Sequence, residues 1–298
     1  MRKFRLSARV SSGSWCALSL VLAGAASACG GKPNVSLVDH SCHATAERTM
    51  RVLVTNDDGY GAAGIDALAE ALWARPDIAV TVVAPATNES GTGGQTTDGP
   101  LSASDAMTGG GRPAKAVAGY PADCLAWAID QQGVPARPDL VISGINLGEN
   151  VGPGVDGSGT VGAARAAAAR KIPALAASEV LAGAGTDFTA GAALVMRWVD
   201  EHRSDILACT ASDSGLLENL NIPSCPTGTI RGVVRAPIAD TSADVRVDCT
   251  STLTDPTDDI AALNAGFAVL STLPLAPRVS GETPVADAGT LPDDAGGL

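Results

Sequence analysis

The 298-residue chain is 45% hydrophobic and 17% charged, enough apolar material for one large domain or two small ones with a sizeable core. Aromatic residues are only 3% of it, so that core is built from Ala, Val, Leu and Ile. A formal net charge of −12 disfavours duplex nucleic acid and anionic membrane surfaces as partners, and an anionic small substrate needs a local cation to offset the field.

Residues 1–28 read as an export signal. Arg2, Lys3, Arg5 and Arg9 precede an apolar run from Trp15 to Ala26 that is too short to span a bilayer comfortably. Ala26-Ser27-Ala28 forms a small-residue cleavage pattern directly before Cys29. A Cys in that place resembles a bacterial lipobox, although Ala26 stands where Leu is usual. Two outcomes follow: a lipoprotein anchored through Cys29, or simple cleavage and release as a periplasmic or extracellular protein. Residues 29–49 lack periodicity and read as a linker. The "HSCH" at 40–43 lacks the two well-spaced ligands that a metal site needs.

From Met50 onward strands and helices alternate. Strands are expected at 51–55, 78–84, 138–143 and 173–178, and helices at 64–75, 122–132, 159–171 and 187–203. That order predicts an α/β fold over residues 50–275: a Rossmann-like, mostly parallel sheet with helices on both faces. Residues 98–115, rich in Gly and Ser, read as a flexible excursion. Short β-type runs between 216 and 250 suggest a hairpin-rich C-terminal extension. Asp255-Pro256 should open a short helix with Asp at its N-cap, and "GFAVLSTLPL" a last strand. Residues 276–298 have a disordered composition. Cys124, in "PADCLAWAI", reads as a buried free thiol, whereas Cys42, Cys209, Cys225 and Cys249 are expected to pair in one of three connectivities.

The chemistry sits in loops at strand ends. Asn56, Asp57 and Asp58 follow the first strand, "APATNESGTGGQTT" with Ser90 follows the second, and "INLGENVGPGVDGSGT" with Asn146 follows the third. In an open parallel sheet such loops converge on one edge. Carboxylates, a hydroxyl and an amide oxygen gathered there make a hard-oxygen site for a divalent cation. Such a cation would relieve the repulsion between adjacent Asp57 and Asp58. Alternatively, Asp58-Gly59 is a turn and Asp57 a helix cap. "GSGTVGAARAAAAR" opens a helix whose first N–H groups, with Ser158, Gly159 and Thr160, form a phosphate cradle or an ordinary N-cap. The same stretch satisfies G-x-G-x-x-G at Gly157, Gly159 and Gly162, but no strand is expected immediately before it, as a dinucleotide fold requires. No histidine lies in these loops, and Asp130 occupies the place where a cysteine phosphatase built on Cys124 needs Arg.

These segments together resemble the SurE family of survival nucleotidases. The matching residues are "RVLVTNDDGYGAAGIDALAEAL", "SGTGGQTT", "GYPADC", "PDLVISGINLGENVG", "GSGTVGAARAAA" and "IPALAAS". The resemblance implies a metal-dependent phosphatase that hydrolyses nucleoside 5'-monophosphates, and 3'-monophosphates in addition, with Mg²⁺ or Mn²⁺ held by Asp57, Asp58, Ser90 and Asn146. It also implies a homodimer or homotetramer that exchanges a C-terminal extension, for which 216–250 is the candidate. Asn88-Glu89 stand where the family often has basic residues, Gly94 where many members have Asn, and Tyr120 where Thr is common. Competing readings are an exported, non-catalytic binding lipoprotein on a phosphatase fold, and a dinucleotide-binding oxidoreductase.

Overall fold

The computed structural model describes residues 48–181, 186 and 188–278. The expected signal, Cys29, Cys42 and the tail beyond 278 lie outside the described residues. Strand β1 (Met50–Thr55) is buried along almost its whole length. Its side chains alternate between faces: Val52 and Val54 enter one apolar cluster and Leu53 the other. On one side the sheet is covered by α1 (Ala63–Trp73) and α4 (Phe188–Leu207), on the other by α2 (Pro121–Leu125) and α3 (Gly159–Ala169). Burial on both faces explains why β1 reads as a continuous apolar run, and each such aliphatic side chain contributes about 1.5–3 kcal/mol.

The remaining strands are β2 (Ile78–Pro85), β3 (Ala103–Met107), β4 (Pro113–Val117), β5 (Leu140–Leu147), β6 (Ala174–Glu179), β7 (Leu217–Ile222), β8 (Val233–Arg235) and β9 (Ala268–Thr272). Among the described residues they form one sheet in the order β3-β4-β2-β1-β5-β6-β7-β9-β8. The strands from β4 to β7 in that order run parallel. β3 and β9 run against their neighbours β4 and β7, and β8 pairs parallel to β9. The mostly parallel α/β sheet with helices on both faces is therefore observed. No helix among the described residues is long and apolar enough to cross a membrane.

Three expectations need correcting. Residues 98–115 are not a flexible excursion throughout, because β3 and β4 pair as a hairpin in register Ala103↔Val117 to Met107↔Pro113. Small Ala residues dominate its two strands, ASDAM and PAKAV, so alternation carries little hydrophobic signal. The hairpin tip is fixed by Asp66, which accepts hydrogen bonds from the Thr108 hydroxyl (2.6 Å) and the Gly110 N–H (2.8 Å). Region 216–250 is not hairpin-rich: β7 is an interior strand parallel to β6, β8 spans three residues, and "DVRVDCT" forms no strand. The late helix, α6 (Asp259–Asn264), starts after Asp258 rather than Asp255, with Asp258 Oδ1 accepting from the Ala261 N–H at 2.8 Å. A further short helix, α5 (Thr210–Ser214), was not anticipated.

Cys225 is bonded to Cys249, Cys209 is also disulfide-bonded, and Cys124 is free and buried. Burial pushes the Cys124 thiol well above its ordinary pKa, which leaves it inert as a nucleophile.

Candidate active site

β1 lies between β2 and β5. The chain leaves β1 toward β2 and later adds β5 on its other side, so the carboxyl ends of β1 and β5 flank a topological switch point, where open α/β sheets bind ligands. Asn56 shapes the turn there. Its Nδ2 donates to the Gly59 carbonyl at 3.0 Å, and its Oδ1 accepts from the Gly59 N–H at 3.2 Å. Gly59 has φ +100°, and a Cβ there would meet the Thr87 carbonyl oxygen at 3.3 Å; glycine alone adopts that conformation easily.

The turn sends the two carboxylates in different directions. Asp57 is 3% exposed and faces the start of α3, where its Oδ1 accepts from the Thr160 hydroxyl at 2.7 Å. A Cβ on Gly159 would come within 2.8 Å of Asp57 Cβ, so the helix start needs glycine to approach this closely. Asp58 is half-buried and faces the end of β5. Its Oδ2 accepts from the Leu147 N–H at 3.1 Å, and its Oδ1 from Asn88 Nδ2 at 3.3 Å. Burial holds both carboxyls above their ordinary range, and the charge of Asp58 adds to the effect on Asp57, against the hydrogen bond from Thr160.

The loop after β2 is tied to the same pair. The Glu89 N–H donates to the Asp57 carbonyl at 2.7 Å, and the Ser90 N–H to Asn88 Oδ1 at 3.0 Å. Ser90 is exposed and its hydroxyl makes no hydrogen bond among the described residues. Asn146 precedes Leu147 on β5, just after the pairing with β6 shifts by one residue between Ser143 and Asn146, an irregularity typical of strand ends beside sites. Its Nδ2 donates to the Gly148 carbonyl at 2.6 Å, leaving Oδ1 as the acceptor end. Hydrogen bonding thus links Asp57, Asp58, the Ser90 loop and the Asn146 strand end. The oxygens suit a hard cation, whose charge would offset one buried and one half-buried carboxylate. No third acidic, His or Cys side chain joins them to complete a cluster among the described residues, so the amide and hydroxyl oxygens are needed.

At α3, Ser158 acts as the N-cap, its hydroxyl accepting from the Val161 N–H at 3.2 Å. Thr160 is committed to Asp57. The expected cradle is therefore partly used within the protein, and the Gly159 N–H is the member left without an acceptor among the described residues. The residues before Gly159 form a 3-10 segment, Gly152–Gly157, and not a strand, so the glycine spacing lacks the context for a dinucleotide. Gly162 serves packing instead: a Cβ there would fall 2.0 Å from the Gly93 carbonyl oxygen. Sequence reasoning missed Asn56 and Asn88 as organisers of the crevice. The Asn at the head of N-D-D-G was the available signal for the first.

Fold and crevice define a class, a doubly wound α/β protein with paired carboxylates and a helix start converging at its switch point. The chain belongs to the SurE family: residues 52–244 match the family model described as "Survival protein SurE". It is 41% identical over 185 residues to the 5'-nucleotidase SurE of Syntrophobacter fumaroxidans, covering 62% of this chain and 70% of that protein. The 5'-nucleotidase SurE of Treponema pallidum is 42% identical over 180 residues, covering 59% and 91%. The crystal structure of the SurE protein from Aquifex aeolicus superposes with a TM-score of 0.59 at 27% identity, covering 76% of this chain and 94% of that one.

Proposed function

We propose that this protein is a phosphoric monoester hydrolase that releases phosphate from nucleoside 5'-monophosphates with the help of one divalent cation, Mg²⁺ or Mn²⁺. The observation that carries this reading is the turn at Asn56–Gly59, which aims Asp57 at the start of α3 and Asp58 at the end of β5. Cation-holding oxygens and an anion-holding helix start thereby share one crevice. The names of the relatives, 5'-nucleotidases, support the same substrate class.

Asp57, Asp58, Ser90 and Asn146 would hold the cation. When bound, it supplies polarisation of the phosphoryl group and a lowered pKa for an attacking water. The Gly159 N–H and the α3 dipole favour the phosphate oxygens. Ser158 keeps the helix start in place, and Thr160 fixes the orientation of Asp57. Asp58, the more exposed carboxylate, is the one within reach of solvent, and we assign it the orientation of water.

The reading extends to export through residues 1–28, lipid attachment at Cys29, and assembly as a homodimer or homotetramer. The Cys225–Cys249 disulfide supports an oxidising compartment. Phosphate release from a panel of 5'- and 3'-nucleoside monophosphates, with Mg²⁺, Mn²⁺ or EDTA, tests the activity. Turnover untouched by EDTA would remove the cation from the reading, and no turnover on any monophosphate would leave the non-catalytic binding lipoprotein. Cys29→Ser should move the protein out of the membrane fraction.

A further inference from the structure

The "GYPADC" segment is a sequence signal that the crevice chemistry does not use. Its Asp123 is 1% exposed and has no cationic partner among the described residues. The carboxylate accepts from the Thr97 N–H at 3.0 Å (Oδ1) and 3.1 Å (Oδ2), from the Thr97 hydroxyl at 2.7 Å, and from the Tyr120 N–H at 2.9 Å. Desolvating an unpaired carboxylate is costly unless hydrogen bonds to it compensate, so what those bonds hold matters.

They hold the far half of the loop that follows β2, a strap over residues 86–99. Its near half is fixed by Glu89 on Asp57, Asn88 on Asp58, and the Gly93 N–H on the Gly157 carbonyl at 3.0 Å. From Gly94 to Pro100 every residue is exposed. Thr97 alone in that stretch bonds to another part of the chain among the described residues. Tying down an exposed threonine buries little apolar surface, so the clamp adds little to the core; it adds placement. The other end of the clamp is α2, whose Pro121 Cγ would lie 3.2 Å from a Cβ on Gly159, beside Asp57. The carboxylate thus joins the strap to α2, and α2 in turn packs through Pro121 beside Gly159 at the start of α3.

We propose that Asp123 is a positioning residue that holds the Gln95–Gly99 half of the strap as the crevice wall against which the leaving group of the phosphoester rests. The proposal rests on the phosphatase reading above. Asp123 touches neither phosphate nor cation; it acts through Thr97.

The experiment compares adenosine 5'-monophosphate with methyl phosphate, whose leaving group is too small to reach the wall. Asp123→Asn, which loses the charge and sets an amide against donors, should raise KM for the nucleotide about tenfold, with kcat changed less than about threefold and methyl phosphate unaffected. Thr97→Val, at an exposed position, removes the hydroxyl donor to Asp123 while keeping the N–H donor, and should produce the same split at smaller size, and Thr97→Ser should behave as wild type. Amide hydrogen exchange over residues 94–99 should quicken in the Val variant. Equal KM shifts for both esters, or unchanged KM with only a lower Tm, would reduce Asp123 to a structural cap and overturn the proposal. Wild-type protein inactive on both esters would instead sink the phosphatase reading itself.

Discussion

The two ends of the β1–β5 pair carry buried carboxylates in opposite electrostatic settings. At the amino ends, Asp139 accepts five hydrogen bonds: two from the Arg48 guanidinium at 3.1 and 3.2 Å, and from Arg51 its N–H and Nη2, each at 2.8 Å, and Nε at 3.1 Å. Burial alone would raise its pKa, but the hydrogen bonds from Arg51 and Arg48 together hold it below the ordinary range. At the carboxyl ends, 3.3 Å per residue away along the strand, Asp57 and Asp58 have only neutral donors and are pushed upward. One end spends its charges on holding strands together, while the other keeps them uncompensated. The fold thus neutralises the acid at one end with two arginines and, among the described residues, leaves the pair at its switch point without a cation.

The largest expected effect breaks the open end. Asp57→Asn retains shape and the bond from Thr160 but removes one charge, and turnover should fall at least ~10²-fold, since a cation's charge stabilisation amounts to several kcal/mol in the transition state. Thermal stability without cation should be unchanged or higher, because a repulsion is gone. A variant as active as wild type would dissolve the contrast between the two ends.

Breaking the closed end should do the reverse. Asp139→Asn leaves two half-exposed arginines without their acceptor and should cost about 1–3 kcal/mol in chemical denaturation, with specific activity per folded molecule unchanged. Acid titration sharpens the point. The folded pKa of Asp139 lies below its unfolded value, so its stabilisation is complete above about pH 4 and is lost as pH falls through the depressed folded value. Denaturation midpoints followed downward from pH 6 should therefore drop more steeply in wild type than in Asp139→Asn; parallel curves would refute the ion-pair account.

The smallest effect concerns the helix start. Since the Ser158 hydroxyl caps α3, Ser158→Ala should cost about 1 kcal/mol, with a rise in KM and little change in kcat. A pure KM effect at full stability would return Ser158 from the cap to the phosphate cradle.

The short apolar run of β1 and the Ala-rich helical stretches made the α/β order legible, and the adjacency of Asn56, Asp57 and Asp58 made the crevice legible. Both rest on neighbours in the chain, where spacing alone sets which side chains share a face or a turn. The β3–β4 hairpin and the interior position of β7 were not legible. Their Ala, Ser, Asn and Glu residues carry no hydrophobic period, and pairing with β2 and β6 decides their state. Legibility also failed for the partners of the acids: Thr160 reaches Asp57 across 103 residues and Leu147 reaches Asp58 across 89. Chain order alone places these chemical groups at the strand ends. Which carboxylate faces α3, which faces β5, and that Asp123 clamps the strap follow from folding, because a hydrogen bond between distant segments exists only once the sheet has brought them within about 3 Å.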